Sequence, residues 1–361
     1  MMRLHDTNYL SFLSAILLTG SMILSSCNND EGGMDSRVAH KLRFSVTGES
    51  ISAESRAVAE SGNLINSIGM SCYTGEWDES TAVPNFFYNE EIINPGTGHW
   101  ETSGAFFKPA KDTKRRFYAY YPYNSGDEMG YSNFEISPAD QEGYPEISYN
   151  VPFNVDDQQD FMVGRMENTD GSEKTDDVFG ETLDIVKLKM YHMLTAIRFE
   201  TGSVMQTGTI TKIAIKGVNY KGRYTYPNIS WAYVDQQTIG DFTLDLNKSV
   251  NKNDAAGTAI TSDEQTFLMM PQTLNTNAYL EVTFNDGQDH VLKASLNGKI
   301  WERAKIVTYR ISMSSLMRLT ITSNITPWDS SESLTGEVSD AANLRNQADI
   351  EQWTPGVDEA N

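Results

Sequence analysis

The sequence predicts an all-β protein made of two tandem β-sandwiches, and three observations carry that prediction. From residue 40 onward apolar and polar side chains alternate with period two, the period of a strand with one buried face. The runs are short, and Gly, Pro, Asn and Asp break them at intervals typical of sandwiches. No stretch sustains a helical apolar repeat over three turns with caps.

The strands follow in order. Leu42, Phe44 and Val46 alternate with Lys41, Arg43 and Ser45, giving a half-buried first strand over 40–48. Phe117, Ala119 and Tyr121 alternate with Tyr118 and Tyr120, and Pro122, which has no N–H to donate, ends that strand. Val186, Leu188, Met190, His192 and Leu194 share one parity, whereas Ile197 and Phe199 share the other. Such a switch inside one apolar run predicts a β-bulge or bend near 194–196. Ile210, Lys212, Ala214 and Lys216 oppose Thr211, Ile213 and Ile215, and Phe242, Leu244 and Leu246 alternate with acidic and polar residues. Residues 280–284 and 290–296 flank Asn285-Asp286-Gly287, a hairpin with an Asp-Gly turn. Val307, Tyr309 and Ile311, then Leu319 and Ile321, supply the last strands.

A window over 167–181, rich in Asp, Glu, Gly, Thr and Ser, has little to bury and marks a boundary. It divides an N-terminal sandwich over 57–180 from a C-terminal one over 181–325. The tail, 326–361, is acidic and poor in pattern, and reads either as a helix around Ala341 to Ile350 or as an unfolded arm.

Composition bounds the function. The chain has 361 residues, 28 Lys+Arg against 49 Asp+Glu and a formal charge of −21, which argues against a general nucleic-acid partner. Its one long apolar run is N-terminal, so a polytopic membrane protein is excluded. That run, Leu10 to Leu24 behind Arg3, ends in Leu24-Ser25-Ser26-Cys27 and reads as a lipoprotein signal peptide over 1–26, cut between Ser26 and Cys27. The Cys27 thiol would then carry the lipid, followed by the polar tether Asn28-Asn29-Asp30-Glu31-Gly32-Gly33 and an outer-membrane location. With Cys27 acylated, Cys72 has no partner for a disulfide and reads as a small buried apolar residue.

Chemistry-bearing patterns are sparse. The histidines at 5, 40, 99, 192 and 290 lack zinc-ligand spacing, and no phosphate loop, dinucleotide fingerprint or nucleophile elbow is present. No catalytic residue, metal ligand or cofactor is assigned. Asp156-Asp157 and Asp176-Asp177 read as solvated loops rather than calcium sites. Tyr118, Tyr120 and Trp231 offer an alternative function, a surface glycan-binding lipoprotein with an aromatic platform, against the plainer reading of packed sandwich tyrosines. Arg56 sits in the small, polar segment Ser52-Ala53-Glu54-Ser55-Arg56-Ala57, suited to an arginine-specific protease cutting between Arg56 and Ala57. A cut there would leave the first strand, within the lipidated segment 27–56, held by its ladder and apolar side chains alone.

These residues together resemble the fimbrillin family of Bacteroidales, the Mfa-like subunits of protease-assembled pili. The resemblance lies in the lipobox cysteine, Ser55-Arg56-Ala57, Phe117-Tyr118-Ala119-Tyr120-Tyr121-Pro122-Tyr123 and Asp160-Phe161-Met162. It continues through the strand with His192 and Leu194, Ile213 to Val218 with Lys221-Gly222, Phe267 to Leu274, and Trp301 to Lys305 leading into Tyr309. It implies two transthyretin-like sandwiches, export as an outer-membrane lipoprotein, and cleavage after an arginine that matches Arg56. It further implies polymerisation for adhesion with other fimbrial subunits, a C-terminal segment of one filling the groove that the first strand of another vacates. That donor would lie within 321–338 or in the longer tail, although Pro327 departs from an uninterrupted donor strand.

Overall fold

The computed structural model describes residues 38–48, 67–125 and 133–328. Strands dominate, and the described helical turns are two short 3-10 segments, Val155–Asp157 and Asp263–Gln265. The chain begins with β1 (Ala39–His40), β2 (Arg43–Gly48), β3 (Ser67–Thr74), β4 (Phe87–Ile93), β5 (Trp100–Thr102) and β6 (Phe106–Phe107). It continues with β7 (Arg115–Tyr121), β8 (Phe134–Ile136), β9 (Glu146–Asn150), β10 (Met162–Arg165), β11 (Ile185–His192) and β12 (Thr195–Thr201). Next come β13 (Gly208–Asn219), β14 (Lys221–Thr225), β15 (Trp231–Val234), β16 (Ile239–Val250), β17 (Phe267–Met269) and β18 (Gln272–Thr273). The last are β19 (Tyr279–Asn285), β20 (Asp289–Ser295), β21 (Ile300–Trp301), β22 (Lys305–Met313) and β23 (Leu319–Pro327).

The N-terminal strands close into a barrel in the order β10-β11-β2-β5-β4-β3-β7, with β7 returning to β10. Its interior takes one parity of each strand: Phe44, Met70, Phe117, Ala119, Leu188 and Met190 all belong to its core. On β3, β7, β10 and the end of β11, residues of the other parity are buried too. Tyr73, Tyr118, Tyr120, Val163 and Tyr191 join a second core outside the barrel wall. This explains the tyrosine-rich strand β7, whose two faces fill two cores and leave neither for solvent.

The second core lies among three four-stranded sheets, β17-β12-β22-β23, β16-β13-β19-β20 and β15-β14-β9-β8. The hairpin β19–β20 forms as the sequence predicts, with Gly287 in its turn at φ 115°. In β13 the register against both neighbours shifts between Ile210 and Lys212. Burial passes there from Ile210 to Ile213 and Ile215, so a bulge reconciles the mixed parity of that strand.

Two expectations change. The parity switch near 194–196 is neither a bulge nor a bend within one strand. It is the step between β11, in the barrel, and β12, which starts another sheet. Hydrogen bonding also runs across position 181. Strand β11 pairs with β2 and β10, and β14, drawn from later sequence, pairs with β9. Within the window 167–181 Asp177 accepts a 2.5 Å bond from Arg115 Nε, and just beyond it Asp184 holds the same guanidinium at 3.0 and 2.8 Å. The tail beyond Trp328, including the helix expected around Ala341 to Ile350, lies outside the described residues.

Candidate functional site: a removable first strand

The site is built on β2. Leu42 and Phe44 point into the barrel and are buried, Val46 packs against the same core, and Lys41 and Arg43 face outward. Phe44 meets Phe117 edge-on, with ring centroids 5.5 Å apart at 80°. Each such side chain stabilises its place by about 1.5–3 kcal/mol on burial.

The backbone of this strand is held from both sides. It runs parallel to β11 from Arg43 opposite Ile185 to Gly48 opposite Met190, and antiparallel to β5 through Arg43–Glu101 and Phe44–Trp100. Just ahead of it, the Leu42 N–H donates to Thr102 Oγ1 and the Thr102 N–H donates to the Leu42 carbonyl, both at 3.1 Å. Thr47 Oγ1 donates to the Leu188 carbonyl at 3.1 Å, and Lys41 Nζ meets Glu101 Oε1 at 2.7 Å. Without β2, the facing edges of β11 and β5 would present unpaired donors and acceptors above an apolar slot.

The next element, β3, is not a neighbour of β2 in the barrel: it lies between β4 and β7. The two are joined through 49–66, which holds Arg56 and Ala57 and lies outside the described residues, as do Ser26 and Cys27. A cut in that connection would break no described contact, and β2 would stay in place by ladder, packing and one exposed ion pair.

Elsewhere the sequence-predicted residues take structural roles. Tyr118 and Tyr120 are 2 % and 3 % exposed; their hydroxyls donate to Glu173 Oε1 and Asn89 Oδ1, both at 2.5 Å. Trp231 packs near Tyr149 and Phe161 and donates its Nε1–H to the Met193 carbonyl at 2.7 Å. These three side chains do not converge on an open platform, so the glycan-binding alternative loses the residues on which it rested. Cys72 is buried, and burial pushes its thiol well above the ordinary value, against a smaller opposing pull from Arg115. His192 is fully buried with Nδ1 at 2.6 Å from Asp160 Oδ2. No group of three or more His, Cys, Asp or Glu side chains able to hold a metal occurs among the described residues.

One buried arrangement was not visible in sequence. Trp328, just after β23, stacks flat on His192 at 4.6 Å and 6°, and its N–H donates to the Ala304 carbonyl at 3.0 Å. His192 ends β11, the strand beside β2. The slot of the first strand, which runs along residues 185–190, and the anchor of the C-terminal segment at His192 therefore share one strand. A proline–tryptophan pair, Pro327-Trp328, was the only local signal.

Comparison with known proteins matches residues 55–328 to a family described as fimbrillin-like. The fimbrium subunit Fim1C of Phocaeicola vulgatus is 26 % identical over 228 residues, covering 54 % of this chain. The chain spans 58 % of the length of that relative. A fimbrial protein of Bacteroides vulgatus superposes with TM-score 0.60 at 20 % identity, over 79 % of this chain and 99 % of the other. A candidate cell adhesion protein of Bacteroides ovatus does so with TM-score 0.50 at 15 % identity, over 81 % and 99 %. Both likenesses concern the fold.

Proposed function

Because the chain belongs to the fimbrillin-like family, a family of cell-surface fimbrial proteins, we propose that it is a fimbrial subunit that polymerises by strand replacement. The observation that carries this reading is the placement of β2, paired on both edges and buried at Phe44 and at the Leu42 just ahead of it, yet joined to the next strand only through 49–66. The family match begins at residue 55, beyond β2, so the part shared with the family leaves out the removable strand.

In this reading Cys27 carries the lipid that brings the precursor to the outer membrane, and an arginine-specific protease cuts between Arg56 and Ala57. The strand then leaves, and a C-terminal segment from another subunit supplies the missing ladder and apolar side chains. Because strand and slot bury each other, a filled slot reopens slowly, and the polymer persists kinetically. Residues 321–327, part of the expected donor range, already pair with β22 in their own subunit. That pairing favours a donor after Trp328, in the longer tail. Adhesion is the role of the assembled filament, and no step calls for a catalytic group.

The test is Arg56→Ala in the native cell. The variant should accumulate as a folded, lipidated monomer, while the parent yields an Ala57 N-terminus and an unheated ladder on denaturing gels. Normal ladders from Arg56→Ala would overturn processing at this site as the trigger.

A further inference from the structure

We propose that a cleft in the C-terminal half is a docking site for the chain's own acidic segment 329–340. The cleft lies where β20 and β23, the outer strands of two different sheets, come into contact. Its volume is about 780 Å³, and Val204, Val291, Leu316, Met317 and Leu319 line it. Three of these, Val204, Val291 and Leu316, are among the most exposed large apolar side chains described. Such an accumulation marks a surface that something covers.

Charge narrows the occupant. Lys293, Arg310 and Arg318 line the cleft and no carboxylate does, although the whole chain carries −21. Lys293 and Arg310 are shared with Glu281 and Glu200 at 3.4 and 3.1 Å, and Arg318 makes no ion pair among the described residues. An apolar cleft with cations beside two unpaired strand edges suits an extended acidic segment with apolar side chains at alternate positions.

The segment after Trp328 has that chemistry. Residues 329–361 hold eight carboxylates and one cation, and Leu334, Gly336 and Val338 alternate with Ser333, Thr335 and Glu337. Trp328 is fixed on His192, which sets where the segment starts. A turn over 329–331 followed by a strand running back beside β23 would bring Leu334 next to the exposed Ile325. It would then bring 338–340 level with Leu319 and the cleft, about 30 Å from Trp328 at the rise of an extended strand. So short a tether holds the segment at roughly millimolar effective concentration, which favours the chain's own copy over a second molecule. The docking stands on cleft and segment and not on the fimbrial reading. Where that reading holds, a docked segment is withheld from a neighbour's slot.

The test uses full-length chains and amide hydrogen exchange. Relative to the parent, Leu334→Glu with Val338→Glu, and separately Arg318→Glu, should speed exchange at 291–293 and 320–323 about tenfold, with 117–120 unchanged as a folding control. Combining Arg318→Glu with Glu337→Lys and Asp340→Lys, the acidic residues that this register brings to the cleft, should restore protection. Arg318 is exposed, so its variant leaves the core intact. Equal exchange in all chains overturns the proposal. Protection that fades on dilution of the parent overturns it in favour of a segment from a second copy.

Discussion

Phe44 concentrates the energetics of the first strand in one ring. It is fully buried and leans on Phe117 across the barrel. Phe44→Ala should destabilise the uncut protein by about 3–5 kcal/mol, the range for truncating a buried phenylalanine. The measurement is a lower urea midpoint with an unchanged slope; an unaltered midpoint would show that the strand contributes little to the barrel. A second residue-scale prediction concerns pH. Burial works against ionisation of Asp184, but its paired bonds and attraction to Arg115 outweigh this and hold its carboxyl below the usual range. A depressed folded value means that the unfolded chain takes up the proton first as pH falls. The stabilisation is therefore complete above about pH 4, the ordinary carboxylate value, and is lost as pH drops through the folded value. The stability gap between the parent and Asp184→Asn should stay constant from about pH 7 to about pH 5 and close in stronger acid. A gap that persists at about pH 2 would assign the difference to something other than this titration.

At the scale of the strand, the prediction is that cutting and release are separate events. After cleavage at Arg56 the segment bearing β2 should remain bound, and native mass spectrometry should find both pieces together, because ladder bonds and buried side chains survive the cut. Phe44→Asp would place a carboxylate in an apolar core and should let the cut segment dissociate. Immediate loss of the parent segment on cleavage would remove the stored, exchangeable strand from the mechanism. The strand itself was legible in sequence, since Leu42, Phe44 and Val46 alternate over a clean period of two. Its neighbours were not. That β2 lies between β11 and β5 depends on pairing residues more than fifty positions apart, which leaves no local pattern. The step from β11 to β12 was misread for a related reason: a chain that leaves one sheet and enters another without a polar loop looks like one kinked strand. The burial of His192 with Asp160 depends equally on a partner 32 residues away.

Across the whole molecule, the two halves of the sequence share too much structure to melt apart. The sheet β15-β14-β9-β8 takes two strands from before the expected boundary and two from after it, with β9 and β14 paired from Asn150–Lys221 to Glu146–Thr225. Tyr226 donates its hydroxyl to the Ala119 carbonyl of the barrel wall, Arg165 donates to the Pro227 carbonyl, and Trp231 donates to Met193. The second core likewise runs continuously from Tyr73 and Tyr118 to Tyr309 and Trp328. Separate domains with a polar, narrow interface would unfold in separate steps. A shared sheet and a shared core couple the barrel to the C-terminal sheets, so the uncut protein should show one calorimetric transition whose van't Hoff and measured enthalpies agree. Two resolved transitions would restore a pair of independent sandwiches. The coupling also bears on assembly: emptying the slot of β2 weakens β11, β11 carries His192, and His192 holds Trp328 at the root of the C-terminal segment. Release of the first strand should then lower the single transition temperature of the whole chain rather than that of the barrel alone, and refilling the slot with a synthetic peptide of residues 39–48 should raise it again.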